Sequence, residues 1–242
     1  NDSCDDNYGW WYSIEKGDFN NDGLEDLVLG NLGRNYKYQA SKEEPFEVFY
    51  DDFDENGNKD IVLAYYNYGI QFPLRGFSCS SQQIPELKTK FQKYDLFASL
   101  DVKDVYGETN LDNALRLHAN TFKSVVLINN GTNFNSFDLP HQAQLSSIND
   151  FIVDDFNDDG NSDILLAGNL FTSEVETTRN DASYGLVLTG NGDGSFVAKK
   201  RTETGFYAPS DVKKLSKINM NNGKGVIVGN NNDLIQYFKR IK

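Results

Sequence analysis

Apolar residues along this chain fall in short runs, and the segments between the runs are rich in Asp, Asn and Gly. Three of the runs are aliphatic triplets that end in a small residue, at residues 27–30, 61–64 and 164–167. Uninterrupted triplets predict strands buried on both faces, and the closing Gly or Ala predicts crowding against a neighbouring backbone. A polar segment precedes each triplet, and an apolar residue (Ile14, Val48 or Phe151) precedes that segment. The pattern therefore predicts three units of strand, polar loop and strand.

The three polar loops repeat one motif, D-F-[DN]-x-[DN]-G-x-x-D. They are named loop 1 (residues 18–26), loop 2 (residues 52–60) and loop 3 (residues 155–163). Side-chain oxygens at positions 1, 3, 5 and 9 can converge with the carbonyl of position 7, because Gly at position 6 permits the necessary sharp turn. Hard oxygen ligands favour Ca²⁺ over zinc or copper, and a flexible loop suits Ca²⁺ better than it suits Mg²⁺. The sequence therefore predicts three calcium sites.

Two other structures have similar loops. An EF-hand needs a bidentate Glu at position 12 between flanking helices. Position 12 here is Leu29, Leu63 or Leu166, inside a strand-like triplet, which excludes an EF-hand. Solvated hairpin tips remain the alternative, since Asp, Asn and Gly are common turn residues. Turn chemistry does not require acids at positions 1 and 9 in three copies, and without a cation the carboxylates of each loop repel one another.

Other segments add a fourth unit and two hairpins. The aliphatic run at residues 226–229 places Lys217 at loop position 1 and Gly225 at position 9. The intervening loop has Asn219 and Asn221 but no carboxylate, so we expect a strand pair there without an ion. Asn and Gly between strand-like segments predict β-hairpins at residues 129–132 and 190–194.

Residues 71–120 have a different pattern from the rest of the chain. Pro85 precedes apolar residues at helical spacing, and a second set at that spacing follows. The two sets are Leu87, Phe91 and Tyr94, then Leu111, Leu115 and His118. We expect a small, partly helical insertion within a single mainly β domain that covers residues 1–242.

The composition limits the class of partner. The 36 Asp and Glu exceed the 23 Lys and Arg, giving a formal charge of −13, which argues against a nucleic-acid groove or a polybasic membrane anchor. Three Ca²⁺ ions would reduce that charge to about −7. Hydrophobic residues form 38% of the chain, enough for a folded core, yet no apolar run approaches the roughly 20 residues that span a bilayer.

The N-terminal end and the cysteines give weaker signals. The chain begins at Asn1 without an initiator Met or an apolar leader, so we expect a piece of a longer protein. Cys4 and Cys79 would form one disulfide in an oxidising compartment, but two cysteines leave the pairing open.

The repeated units resemble FG-GAP/VCBS repeats, the calcium-loop blades of integrin-type β-propellers. The resemblance covers residues 18–31, 52–65 and 155–169, and residues 191–196 are similar to the outer hairpin of such a blade. Residues 9–11 and 75–83 are similar to the C-terminal part of large VCBS-repeat proteins of the bacterial cell envelope, related to the CRTAC/UnbV group. The resemblance implies a β-propeller segment of about four blades, as an open arc that further blades of the parent chain would complete.

The resemblance also implies the ligands and the location. Each ion would lie in the loop that joins two adjacent strands of a blade, in an extracellular or bacterial envelope protein, on the outer surface or in the periplasm. The implied ligands are Asp18, Asn20, Asp22, Leu24 and Asp26 in loop 1, Asp52, Asp54, Asn56, Asn58 and Asp60 in loop 2, and Asp155, Asn157, Asp159, Asn161 and Asp163 in loop 3. Leu24, Asn58 and Asn161 would contribute backbone carbonyls.

The favoured function is noncatalytic binding of a protein or glycan, and we predict no catalytic residue. The alternatives are a glycan-processing enzyme whose acids are Asp101, Asp104 and Glu108 in the insertion, and a purely architectural segment. Residues 76–80 nearly match G-x-S-x-G but have Ser80 in place of the last Gly. His118 and His141 are too few for a His-rich zinc site.

Aromatic residues offer a binding surface or interior packing. Flat rings near strand ends can stack on a sugar or anchor a peptide, whereas packing between sheets uses the same residues. The candidates are Trp10, Trp11, Tyr65, Tyr66, Tyr68 and Phe72, with Arg75, Gln82 and Gln83 as polar neighbours. Packing is the favoured interpretation for the six rings.

Overall fold

The computed structural model describes residues 7–173, 177–221 and 223–240. The chain divides into two compact units, and each is treated by itself below. Unit 1 consists of Asn1–Lys37 and Phe122–Lys242, and unit 2 of Tyr38–Thr121. Whether the chain forms one domain with an insertion at residues 71–120 stays a prediction.

The described residues are mainly β. The strands are β1 (Ser13–Gly17), β2 (Asp26–Gly30), β3 (Phe46–Asp51), β4 (Asp60–Asn67), β5 (Ile70–Pro73), β6 (Leu115–Ala119), β7 (Val125–Asn129), β8 (Phe134–Asp138), β9 (Asp150–Asp154), β10 (Asp163–Ala167), β11 (Leu186–Gly190), β12 (Phe196–Ala198), β13 (Val212–Met220), β14 (Gly223–Asn230) and β15 (Gln236–Lys239). The helices are α1 (Phe77–Gln83), α2 (Leu87–Lys90), α3 (Tyr94–Ala98), α4 (Val102–Tyr106), α5 (Glu108–Asn113) and α6 (Arg201–Thr204), and His141–Gln144 form a 3₁₀ turn.

Unit 1 contains three antiparallel sheets. Their strand orders are β1-β2-β7-β8, β12-β11-β10-β9 and β13-β14-β15. The second sheet is a continuous meander, whereas the first is interrupted in sequence, because β2 pairs with β7 and all of unit 2 lies between them in the chain. The structure therefore places the interruption within the first sheet, between its second and third strands.

The sheets of unit 1 pack against one another through apolar faces. Phe19, Val28 and Val126 from the first sheet and its loop share a core with Phe151, Ile164, Leu166 and Leu188 of the second. The opposite side of the second sheet shares a core with the third through Ile152, Leu165, Val187, Val212, Leu215, Val226 and Val228. The middle sheet is thus covered on both faces, and each fully buried aliphatic side chain contributes roughly 1.5–3 kcal/mol.

The three aliphatic triplets differ in burial. All five residues of β10 are buried, as predicted. In β2 the burial alternates between full and partial. Ile61 in β4 is 43% exposed, so the prediction of burial on both faces is wrong for that strand. The crowding predicted after the triplets is confirmed at Gly30, where a Cβ atom would collide with the carbonyl oxygen of Ile148.

Unit 2 contains one antiparallel sheet of order β5-β4-β3-β6 and five short helices. Phe49, Val62 and Ala64 on one face of the sheet form a core with residues of the helices. The helical partners are Ile84, Leu87, Phe91, Phe97, Val102, Val105, Tyr106 and Leu111. This one-sided core explains why Ile61, on the opposite face of β4, is exposed.

Two details of the predicted helices are wrong. Leu115 and His118 lie in β6 and not in a helix, because α5 ends at Asn113 and the following residues pair with β3. The buried carboxylate of Glu47 on β3 binds Arg116 of β6, which adds to that pairing. The stretch after Pro85 forms two helices, since the backbone is extended at Phe91, between α2 and α3.

The fourth unit keeps its strands but has no nine-residue loop. β13 and β14 pair from Val212 to Asn230, with Met220 opposite Gly223, and Lys217 lies within β13 opposite Val226. The alignment of Lys217 with a loop Asp is therefore wrong, and Lys217 instead binds Asp154 of the neighbouring sheet at 3.0 Å.

Both predicted hairpins are confirmed, as β7–β8 and β11–β12. Within the ranges that the structure describes, no helix combines the length and the apolar character required for a transmembrane span. The mainly β class and the four antiparallel sheets are established, and their arrangement as propeller blades stays a prediction.

Candidate functional site

Each predicted calcium loop joins two neighbouring antiparallel strands: loop 1 joins β1 to β2, loop 2 joins β3 to β4, and loop 3 joins β9 to β10. The backbone takes the same path in all three. Position 4 is left-handed in every loop, at Asn21 (φ 59°), Glu55 (φ 56°) and Asp158 (φ 60°). Position 6 is also left-handed, at Gly23 (φ 84°), Gly57 (φ 89°) and Gly160 (φ 89°). A Cβ atom on these glycines would meet nothing within 4 Å, so the need for Gly is conformational.

The Asp at position 1 closes each loop by accepting backbone N–H groups. In loop 3, Asp155 accepts from Asp159 N at 3.2 Å and from Gly160 N at 2.9 Å. The bond from Gly160 is the largest cause that holds the pKa of Asp155 below its ordinary value. Asp18 and Asp52 make the same two bonds in their loops. The first carboxylate is therefore directed into each loop.

The side chain at position 5 is turned inward by a bond to position 7. Asp22, Asn56 and Asp159 each accept the position 7 backbone N–H at 2.8 Å. In loops 1 and 3 the Asn at position 3 donates its side-chain N–H to the position 5 carboxylate, also at 2.8 Å. Oxygens at positions 1, 3 and 5 thus lie close together around each turn.

The Asp at position 9 is buried under each loop. Asp26 and Asp163 are 0% exposed and Asp60 is 4% exposed. Each accepts the backbone N–H of the Phe at position 2, at 2.8 Å for Phe19, 3.0 Å for Phe53 and 2.8 Å for Phe156. The bond holds the end of the first strand over the last carboxylate. The Phe ring accounts for the residue type, since Phe19 lies in a core and Phe53 and Phe156 each pack against one.

Loop 2 differs from the other two at this carboxylate. The second oxygen of Asp26 accepts from Asn129 N at the end of β7, and that of Asp163 accepts from Gly190 N at the end of β11. Asp60 has no such strand beside it, because β5 pairs with β4 only from Ala64 to Asn67. The side chain of Gln83 from α1 interacts with Asp60 instead.

Three carboxylates converge in loop 2. Oxygens of Asp52, Asp54 and Asp60 all lie within 4.8 Å of one another, and no other group of three potential His, Cys, Asp or Glu ligands in the described ranges is as close. Burial raises the pKa of Asp60, and the carboxylates of Asp54 and Asp52 raise it further, against the lowering effect of the Phe53 N–H. The charged form of Asp60 is thus disfavoured unless a cation is near.

The same effect acts in loop 3. Burial raises the pKa of Asp163, and Asp159 and Asp155 add to that rise, while the N–H groups of Gly190 and Phe156 oppose it. The side chains at positions 1, 3, 5 and 9 of the three loops offer carboxylate and amide oxygens. That donor set fits a hard divalent cation of the size of Ca²⁺. Positions 1, 3, 5, 7 and 9 would hold the ion, and the ion would supply the positive charge that these carboxylates lack.

Loops 1 and 3 are neighbours in unit 1, which the sequence did not indicate. Asn21 donates a side-chain N–H to Asn161 Oδ1 at 2.8 Å, and Gly194 of the β11–β12 hairpin donates to Phe19 O at 2.9 Å. Sequence reasoning also missed Asn129 and Gly190 as partners of the buried carboxylates. Their position at the first residue of each predicted hairpin is the one signal that could have found them.

The residues considered for catalysis have structural roles. Ser80 is buried in α1, where its hydroxyl donates to Arg75 O at 3.0 Å and accepts from Tyr106 at 3.1 Å. Asp101 caps α4 by accepting from Asp104 N at 2.7 Å, and Glu108 binds Lys103. His118 lies in β6 and His141 in the 3₁₀ turn.

The favoured interpretation of the candidate aromatic residues as packing suits Trp10 and Tyr65 and is wrong for Tyr68. Trp10 packs on Tyr36 and Phe122 with ring centroids 6.3 Å and 5.2 Å away. Tyr65 packs on Tyr38 at 4.6 Å, whereas Tyr68 is 97% exposed in the turn between β4 and β5. Arg75 binds Gln83 at 2.7 Å. Cys4 lies outside the described residues, so its pairing with Cys79 stays untested.

No protein-family model matches this chain, and no curated protein matches it.

Proposed function

We propose that this chain is a calcium-binding β-propeller module of the FG-GAP/VCBS type, in which loops 1, 2 and 3 each hold one Ca²⁺. The observation that carries the proposal is the threefold repetition of one loop geometry over a buried carboxylate. In loop 2 three carboxylates lie within 4.8 Å, an arrangement that costs electrostatic free energy without a cation.

The ions have a structural role in this proposal. Each loop joins two strands of one sheet, and its last Asp is the first residue of the second strand. A cation bound there neutralises the buried carboxylate and fixes the strand pair. Stability then depends on the calcium concentration, because the ion binds the folded chain and not the unfolded one.

The module is noncatalytic and binds a protein or glycan at the cell surface. Support for a noncatalytic role comes from Asp101, Glu108 and Ser80, whose polar groups are engaged in capping, ion pairing and helix packing. An extracellular or bacterial envelope location suits loops of this kind, since extracellular modules bind Ca²⁺ at roughly 10⁻⁴ to 10⁻³ M.

Thermal unfolding with and without calcium tests the metal sites. At about 100 times its dissociation constant, one ion stabilises the fold by about 2.7 kcal/mol. For a domain of this size that is a rise of about 5–11 °C in melting temperature for each ion. Chelation should lower the melting temperature accordingly, and Asp155→Ala should remove part of the calcium effect.

Asp193→Ala is the matched control, because Asp193 accepts from Ser195 in the adjacent hairpin and lies outside the three loops. It should leave the calcium effect unchanged. Superimposable melting curves with calcium and with chelator, together with an Asp155→Ala variant that behaves like the wild type, would exclude the metal sites.

A further inference from the structure

Unit 2 has an open cleft of about 470 Å³ among its helices, away from the calcium loops in sequence. That volume lies in the range of small-molecule sites, about 300–1,000 Å³. The side chains that matter here are three rings and three long polar groups. They are Phe77, Phe91, Tyr94, Gln82, Gln92 and Lys88.

The wall of the cleft follows from the helical repeat of α1. Phe77 and Ser81, and Ser78 and Gln82, are four positions apart, and Ser78 and Ser81 are three apart, so the four lie on one side of the helix. Phe97 in the core of unit 2 fixes the rings from below, with centroids 5.4 Å from Phe77 and 5.8 Å from Phe91. The two rings of the cleft are therefore packed against the core of unit 2.

Tyr94 presents an aromatic ring at the mouth of the cleft. Its side chain is 66% exposed, its ring centroid is 5.0 Å from that of Phe77, and its hydroxyl is 3.3 Å from Ser78 Oγ. A ring that contacts Phe77 and the Ser78 hydroxyl, with much of its surface in water, can stack on the apolar C–H face of a sugar.

The polar groups around the rings are open to a ligand. Within the described residues, the side chains of Gln82, Gln92 and Lys88 make no hydrogen bond or ion pair. Each Gln amide both donates and accepts, as a sugar hydroxyl does. No carboxylate lines the cleft, although the chain has 36 acidic residues, so the cleft does not favour a cation.

A peptide is a poorer fit to this cleft than a sugar. Peptides bind along a free strand edge or in a continuous apolar groove. The walls here are helices and a connecting segment, which offer no row of unpaired backbone groups, and polar side chains interrupt the apolar surface.

We propose that the cleft between α1, α2 and α3 binds a hexose-containing glycan, with Tyr94 stacking on a sugar ring and Gln82 and Gln92 bonding its hydroxyls. This site gives a ligand class to the noncatalytic binding role proposed above and rests on that role. It does not depend on the calcium sites.

An array of neutral and uronic-acid-containing oligosaccharides tests the full chain in calcium. The oligosaccharide with the strongest signal is then titrated by calorimetry against the wild type and variants. Tyr94→Ala and Gln92→Ala should each weaken its binding at least about tenfold, and Tyr94→Phe, which keeps the ring, should weaken it less. Tyr50→Ala is the matched control, since Tyr50 is a partly exposed tyrosine of the same unit outside the cleft.

Several results would overturn the glycan site. They are an array signal no higher than that of a blank surface, equal affinities for wild type and Tyr94→Ala, or capture of peptides by the cleft in place of oligosaccharides. Unchanged melting temperatures show that the variants are folded. A wild-type chain that binds calcium but no oligosaccharide rejects this site alone, and a wild-type chain that binds an oligosaccharide but no calcium rejects the metal sites alone.

Discussion

The carboxylate at loop position 9 has a different surrounding in loop 2 than in loop 1. Asp26 accepts from Phe19 N with one oxygen and from Asn129 N with the other, so each oxygen has a backbone donor. Asp60 receives one backbone N–H, from Phe53, and faces the carboxylates of Asp52 and Asp54. Calcium should therefore matter more to Asp60 than to Asp26.

The effect of Asp60→Asn on the melting temperature should change sign between chelator and calcium. The folded-state pKa of Asp60 is raised by burial, so its ionised form destabilises the metal-free fold at neutral pH. In chelator at pH 7, Asp60→Asn should melt at or above the wild-type temperature. In saturating calcium it should melt several degrees lower, because a ligand is lost. Melting curves in the two buffers measure both effects.

The stability difference between wild type and Asp60→Asn should depend on pH in a defined direction, and Asp26→Asn is the matched control. The difference between wild type and Asp60→Asn in chelator should shrink as the pH falls through the folded pKa of Asp60, and vanish below the unfolded value near 4. Asp26→Asn should instead destabilise in both buffers, by about 1–3 kcal/mol, since Asn cannot accept both backbone N–H groups. A uniform loss in both buffers for Asp60→Asn would contradict this difference between the loops.

A buried glutamine, Gln144, links the two ends of the β7–β8 hairpin in the first sheet. Gln144 in the 3₁₀ turn accepts from Ser124 N at 2.9 Å and donates to Ser124 O at 2.8 Å and to Leu139 O at 3.1 Å. Ser124 precedes β7 and Leu139 follows β8. One side chain thus satisfies three backbone groups at the open end of the β7–β8 hairpin.

Gln144→Leu should therefore be strongly destabilising. It leaves the Ser124 N–H and the Leu139 carbonyl without partners, since Ser124 O keeps its bond from Leu139 N. The cost is about 2 kcal/mol or more and should lower the melting temperature by roughly 4–8 °C. Gln142→Leu is the control, because Gln142 is exposed on the same turn. Chemical denaturation of the two variants compares the losses, and equal losses would rule out this role for Gln144.

Strands and turns that depend on local sequence were predictable, whereas those that depend on distant pairing were not. The triplets and the D-F-[DN]-x-[DN]-G-x-x-D motif predicted six strands and three turns, because side-chain periodicity and left-handed glycines are local properties. The strand β6 was missed because the spacing of Leu111, Leu115 and His118 also suits a helix, and its pairing with β3 brings together residues about 70 positions apart. Lys217 was wrongly assigned to loop position 1, because the aliphatic run at residues 226–229 does not by itself determine the length of the preceding loop.

At the scale of the whole molecule, the chain returns to the first sheet after all of unit 2. No periodicity in the sequence marks β7 as the partner of β2, since strand pairing over this distance is a property of tertiary packing. The pairing of β2 with β7 also brings Asn129 to Asp26. The sequence therefore could not predict this partner of the buried carboxylate, because it could not predict the pairing. The loop residues were predictable from the motif, and their surroundings were not.

The calcium content of the full chain tests three ion-binding loops most directly. After equilibrium dialysis against calcium with excess magnesium, elemental analysis should give three Ca²⁺ per chain. It should give two for Asp52→Ala or Asp155→Ala and three for Asp193→Ala. A wild-type chain that holds no more calcium than the dialysis buffer would contradict the metal sites, and with them the interpretation of the three loops.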